Sequence, residues 1–258
     1  MNEPIRIFVG CAPNHDDAES QAVLEWSIRK HASRPVDITW MMLSRDQTSP
    51  FAGWHTAEWA TPFSGFRWAV PKLCEFQGRA IYTDSDVIFM ADVAELFDQA
   101  MHAGACVLGR HDARLCVSLW DCARARLWLP PIAHMKRASH SESMLYDIFR
   151  YGEMRGIFDG AWNDLDVLTP DTKALHYTEM STQPQLEYAL PRLAAKGMKH
   201  WYDGPVQTHP SADIRRLFTE LLDEATSNGY GVERYTQHEP YGDIPKRSFA
   251  GRTLTVLR

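Results

Sequence analysis

Ile81-Tyr82-Thr83-Asp84-Ser85-Asp86-Val87-Ile88-Phe89 sets two carboxylates one residue apart between two apolar runs. In an extended backbone alternate side chains leave the same side, so Asp84 and Asp86 are expected together and Ser85 opposite. Two like charges that close repel unless a divalent cation or a set of donors neutralises them. Hard oxygen ligands of this kind suit Mg²⁺ or Mn²⁺, ions that commonly take phosphate oxygens as further ligands, which points to diphosphate chemistry. By itself the three-residue pattern reads more simply as a strand-end turn with two solvated aspartates. The surrounding chain decides between these readings.

Upstream, Ile5-Arg6-Ile7-Phe8-Val9 reads as a buried strand followed by a polar loop over residues 10–17. Val23, Leu24, Ser27 and Ile28 then fall at helical spacing, with Arg29-Lys30-His31 at the C-terminal end. Pro35 breaks that helix and residues 36–40 form a second strand. Strand, helix, strand opens an α/β fold. Residues 47–66 read as a long ordered loop, and residues 67–76 as a short helix. Asp92-Val93-Ala94-Glu95 has capping-box spacing, which makes Asp92 a helix cap rather than a metal ligand, and Gly104 is expected to end that helix. Residues 105–108 and 117–120 are further strands, 141–150 a helix, and 175–178 a short strand bearing His176. Ile214, Leu217, Phe218, Leu221, Leu222 and Ala225 make one apolar helical stripe opposite a face of mixed charge, so that helix is expected to pack on the protein's own core rather than on a membrane. The tail, residues 230–258, reads as irregular.

At 258 residues the chain is long enough for one large domain, here divided into residues 1–190 and a C-terminal extension, 191–258, packed on the same domain. A net charge of −6 without long runs of one sign excludes nucleic acid as the main partner. No apolar stretch approaches the length of a membrane span. The start of the sequence lacks the basic region of a signal peptide, and the five cysteines have no metal-site spacing and read as reduced core thiols. A cytoplasmic protein is expected, with peripheral membrane association left open.

Lined up, these segments resemble the GT-A fold glycosyltransferases (a Rossmann-like α/β fold with a mixed central sheet), and most closely glycosyltransferase family eight. Four pieces carry the resemblance, which runs over residues 5–184. They are Ile7-Phe8-Val9-Gly10 with its polar loop, the segment from Thr61 through Arg67 to Pro71, the DxD stretch followed by Asp92-Val93-Ala94-Glu95-Leu96, and Trp162-Asn163 with His176 and Gln183-Pro184. The resemblance implies a nucleotide site at Val9, Gly10, Cys11, Asn14, Arg67, Asp84 and Ser85. It implies a metal held by Asp84, Asp86 and His176, the imidazole favouring Mn²⁺ over Mg²⁺. It further implies a UDP-sugar donor, a glycan or small-molecule acceptor, and transfer with retention. Glu142 stands at the family's glutamine position in an acceptor-side helix, as a catalytic candidate or a solvated helix residue.

Departures from the pattern matter too. Gln183, the second catalytic candidate, replaces a lysine that neutralises the leaving diphosphate, so another cation such as Lys196, Lys199 or a tail arginine would have to assist. Gln185 replaces a tryptophan. Arg67 is either an ion pair on the surface or a support for Asp84. Trp54, Trp59, Phe63, Phe66 and Trp68 read as core packing before a sugar platform. Two other functions compete with transfer. One is a non-catalytic binder of sugar nucleotides or glycans. The other is a haloacid dehalogenase-type phosphatase, which expects its aspartates on the first strand.

Overall fold

In the computed structural model, which describes residues 3–137, 141–246 and 248–250 (without the side chains of 141–143 and 151), the strand-helix-strand opening is β1 (Ile5–Gly10), α1 (Ala18–His31) and β2 (Val36–Met41). A 3-10 turn at Ser64–Ala69 leads into α2 (Val70–Leu73), then β3 (Arg79–Asp84), β4 (Val87–Phe89) and α3 (Val93–Phe97). Next come β5 (Val107–Gly109), β6 (Val117–Asp121), α4 (Cys122–Ala125), α5 (Ile132–Arg137) and α6 (Ser141–Tyr151). The chain ends with β7 (Arg155–Ile157), β8 (Asp164–Leu165), β9 (Ala174–His176), α7 (Leu186–Ala195), α8 (Ala212–Ser227) and a 3-10 turn at Val232–Tyr235.

The main sheet has the order β2-β1-β3-β6-β5-β7, parallel at β2-β1, β1-β3 and β5-β7 and antiparallel around β6. Both its faces are covered, and for that reason β1 is apolar at nearly every position. Ile5, Ile7 and Val9 pack with Ile81 and Leu119 on one side. Phe8 packs with Ala80, Tyr82, Trp68 and Trp120 on the other. The aromatic loop joins this second layer: Trp54, Trp59, Phe63, Phe66 and Trp68 are all buried, in edge-to-face contacts such as Trp59–Phe66 at 5.3 Å.

Helix α1 lies between the sheet and the C-terminal segment. Its Ala18, Ala22 and Val23 meet Ile214, Phe218, Leu221 and Ala225 of α8, the apolar stripe visible in the sequence. Two carboxylates on α1 are buried there, and each has partners. Glu19 accepts from Arg192 at 2.6 Å; Glu25 accepts from Arg29 at 2.7 Å and from the Tyr235 hydroxyl at 3.0 Å. Asp92 is the cap expected of it, accepting from the Ala94 amide at 2.9 Å. The helix it starts stops at Phe97, short of Gly104.

The aspartate stretch departs from a continuous extended strand. β3 belongs to the main sheet, whereas β4 pairs with β9 in a second sheet of order β4-β9-β8, and the chain bends at Ser85 and Asp86 to pass between them. Strict alternation therefore ends at Asp84.

Candidate active site

Register explains how distant residues meet at this bend. β1 and β3 are parallel with Gly10 opposite Asp84, and the Ser85 amide donates to the Gly10 carbonyl at 3.0 Å. Antiparallel β6 places Val117 opposite Thr83, which brings Cys116 alongside; its carbonyl accepts from the Asp84 amide at 2.8 Å. Across the second sheet His176 pairs with Val87, one residue past Asp86. These elements border a cavity of about 460 Å³. Asp84, Ser85, Asp86, Arg67, His176 and Gln183 line it together with Asp17, Cys116, Tyr146, Arg114 and Arg150.

Each carboxylate of the motif has its own setting. Asp84 accepts from Arg67 Nη2 at 3.2 and 3.3 Å and from the Tyr82 hydroxyl, which reaches it because residues 82 and 84 share a side of β3. Arg67 is 1% exposed, so it is no surface ion pair. It also donates to the Ser64 carbonyl at 2.6 Å and to the Tyr146 hydroxyl, and its guanidinium lies 5.1 and 5.3 Å from the ring centres of Tyr82 and Tyr146. Burial alone would lower the pKa of this guanidinium. Asp84, with Tyr146 and Tyr82, instead holds it well above its ordinary value.

Asp86 faces the other way. Its Oδ2 accepts from Gln183 Nε2 at 2.6 Å, and Gln183 in turn accepts from Gln185 at 2.7 Å. Its Oδ1 is buried with no properly directed donor, although His176 Nε2 lies 3.2 Å away. His176 Nδ1 meets Asn163 Oδ1 at 2.9 Å. An Nδ1–H donated to Asn163 leaves the Nε2 lone pair aimed at Asp86, so two acceptors confront each other until a proton or cation enters between them. Burial pulls the imidazole pKa down, but Asp86, then Asp84 and Asp166, outweigh it and the net shift is upward. Ligand atoms of Asp84, Cys116 and His176 all lie within 4.8 Å of one another. Asp86 touches this group through His176 without being part of it.

The remaining expected residues fall elsewhere. Val9 and Cys11 are wholly buried beneath the site, and Gly10 is covered by the Tyr82 hydroxyl and Phe63. Asn14 is paired in both directions with Gly242 at 2.7 and 2.9 Å. None of the four lines the cavity, because the first turn of the β1–α1 loop folds inward and hydrogen-bonds to the end of β2. Glu142 lies on α6, four residues before Tyr146, and its side chain is outside the described residues. Lys196 and Lys199 are exposed and away from the cavity, whereas Arg67, Arg114 and Arg150 supply cationic lining. Cys116 and Asp17 were not expected here. Asp17 caps the loop, accepting from the Ala12 amide at 2.7 Å and the Ser85 hydroxyl at 3.0 Å. Burial, helped by Asp16, pushes its carboxyl up to about 7.

Comparisons with known proteins bear on this arrangement. No family model matches the chain. Over 112 residues, 43% of the chain, it is 36% identical to "Protein CDI" of Arabidopsis thaliana, and it spans 42% of that protein's length. Solved glycosyltransferases superpose on most of it. The galactosyltransferase LgtC, solved with donor and acceptor sugar analogues, gives a TM-score of 0.52 at 12% identity over 86% of this chain and 96% of its own. The glycosyltransferase GlyE of Streptococcus pneumoniae TIGR4 gives 0.53 at 12% identity over 89% and 64%. The chain has the GT-A fold. Within that fold the Asp84-Ser85-Asp86 bend sits at the C-terminal end of β3, where open α/β sheets leave a crevice for ligands.

Proposed function

We propose that this protein is a metal-dependent glycosyltransferase that moves a sugar from a nucleotide-diphosphate donor, a UDP-sugar, to a glycan or small-molecule acceptor with retention. The observation that carries the reading is that Asp84, Asp86 and His176, brought together from two sheets, line one cavity of about 460 Å³, with Asp86 Oδ1 buried and lacking a donor. A divalent cation, Mn²⁺ by preference, fits these groups, since an Asp86 oxygen and a His176 ring nitrogen already lie 3.2 Å apart. Asp84, Asp86 and His176 would hold it, with the Cys116 thiol within reach, and it would supply Lewis-acid charge to a departing diphosphate. Kinship with glycosyltransferase family eight is part of the same proposal.

The chain's own residues divide the rest of the work. Arg67 and Tyr82 fix the Asp84 carboxylate, and Asn163 fixes the tautomer and tilt of His176. Gln183 orients Asp86 but brings no charge, so Arg114 and Arg150 on the cavity wall take over electrostatic stabilisation of the diphosphate. Glu142, on the acceptor-side helix, stabilises the cationic sugar. A cytoplasmic setting, expected from the cysteine pattern of the sequence, is part of the same proposal.

Calorimetry of UDP with Mn²⁺ and with chelator tests the proposal, alongside release of UDP from UDP-sugars. Metal-dependent UDP binding that disappears in Asp86→Asn, with the fold intact, is the expected result. Equally tight binding in chelator overturns the metal site, and preference for GDP overturns the donor. The two neutral amides of the Gln185–Gln183–Asp86 chain favour a second reading, a non-catalytic sugar-nucleotide binder. Binding without turnover of any UDP-sugar selects it.

A further inference from the structure

The turn after α4 presents Leu127 and Trp128 to solvent, 84% and 46% exposed. It is no loose loop: the amides of Leu127, Trp128 and Leu129 donate to Arg124 and Ala125 carbonyls at 3.0–3.3 Å, and Pro130-Pro131 leads into α5. Two large apolar side chains are thus held outward by a hydrogen-bonded scaffold. Beside them opens a second cavity of about 290 Å³, lined by Trp68, Phe76, Pro131 and Met135 with Lys72 and Arg126. The two cations flank Phe76, each 5.7 Å from its ring centre.

Charge distinguishes this surface from the rest of the molecule. In a chain of net charge −6, residues 122–141 contain Arg124, Arg126, Lys136 and Arg137 and no acidic residue. Arg126 and Arg137 are exposed; Arg124 is exposed but paired with Asp121. Glu75, next to Phe76, is the acid that borders the patch from α2's side. Val167, 56% exposed, sits instead in a stretch with Asp164, Asp166 and Asp171.

We infer that this face docks on an anionic lipid bilayer, with Leu127 and Trp128 entering the interface and Arg126 and Lys72 meeting lipid phosphates. Tryptophan and leucine beside basic residues suit the headgroup–acyl boundary, where an apolar insertion and an electrostatic attraction act together. The 290 Å³ cavity gives a displaced acyl segment an apolar wall under two cations. This docking does not depend on the transferase reading, because none of these residues lines the larger cavity.

Co-sedimentation with phosphatidylcholine vesicles, with and without phosphatidylserine, tests it. Binding to the anionic vesicles, weakened by salt, is expected. Leu127→Ser/Trp128→Ser should lower the partition coefficient roughly tenfold or more. Arg126→Ala and Lys72→Ala should each lower it about fivefold, whereas Val167→Ser should not. Circular dichroism and thermal unfolding check that the variants fold. Absent binding, equal binding to neutral vesicles, or full binding by the folded double variant overturns the inference. So does a wild-type protein that self-associates in solution while the double variant is monomeric, which would make a second copy the occupant.

Discussion

Arg67→Met, in metal-free protein, isolates the interaction on which the Asp84 side of the site depends. The guanidinium is 1% exposed and meets both Asp84 oxygens, the Ser64 carbonyl, Cys116 and Tyr146. Methionine fills much of the volume and supplies no donor. Asp84, 6% exposed, then keeps the Tyr82 hydroxyl as its side-chain donor. Removing one partner of a buried ion pair costs about 3–5 kcal/mol, because the remaining charge stays desolvated. For a domain of this size that is a fall in Tm of roughly 6–20 °C. Mn²⁺ should then restore more stability to the variant than to the wild type, since the carboxylate no longer shares its lone pairs with a guanidinium. At a hundredfold excess over Kd the recovery is about 2.7 kcal/mol. Differential scanning calorimetry in chelator and in Mn²⁺ reads both effects. An unchanged Tm in chelator, or equal Mn²⁺ stabilisation of the two proteins, would refute the reasoning.

Three further outcomes follow from other positions. Burial depresses the His200 imidazole to about 4, so its contribution is complete above its unfolded pKa and drains away as pH falls from that value toward the folded one; wild type should lose about 2 kcal/mol more than His200→Gln between about pH 7 and 5, by denaturant titration. Gly10→Ala would set a Cβ 2.5 Å from the Tyr82 hydroxyl and 2.9 Å from Phe63; urea titration should show a loss of about 1–3 kcal/mol, with weaker Mn²⁺ binding because Tyr82 also holds Asp84. Glu142→Gln should lower turnover far more than UDP-sugar affinity, with the product anomer seen by NMR to match the donor's; an unchanged rate returns Glu142 to a solvated helix face.

What the sequence made legible was local. β1, α1 and β2 are set by short apolar runs and a charged helix end, and α8 by a stripe of one period; each is decided by residues within a few turns of one another. Helix α7 was not among the expected elements; it carries Pro191 in its interior, where a proline removes one backbone donor. Cys116 was read as core filler. It reaches the site through the antiparallel β3–β6 register, and no spacing along the chain announces a pairing across more than thirty residues. Gly10 and Val9, expected at the nucleotide site, do not line the cavity for a related reason. The sequence locates the end of β1, but Tyr82 and Phe63, from elsewhere, decide what covers it. Asp84, Asp86, His176 and Gln183 were expected together, and the structure lines one cavity with them.

Because the bend at Ser85 carries the chain from one sheet to the other, Asp84 rides on the six-stranded sheet while Asp86 and His176 are anchored in the three-stranded one. An ion or phosphate gripped by all three would act as a rivet through two plates. Its grip is strongest when the plates are in register, and each small slide of β4-β9-β8 against β3 changes the distance between ligands rather than their identity. Residues that never touch the cavity, such as Ser27, whose hydroxyl accepts from the Phe89 amide at 3.0 Å and ties β4 to α1, would thereby help to set affinity. Amide exchange should slow in β8 and β9 when the ligand binds, far from any atom it contacts.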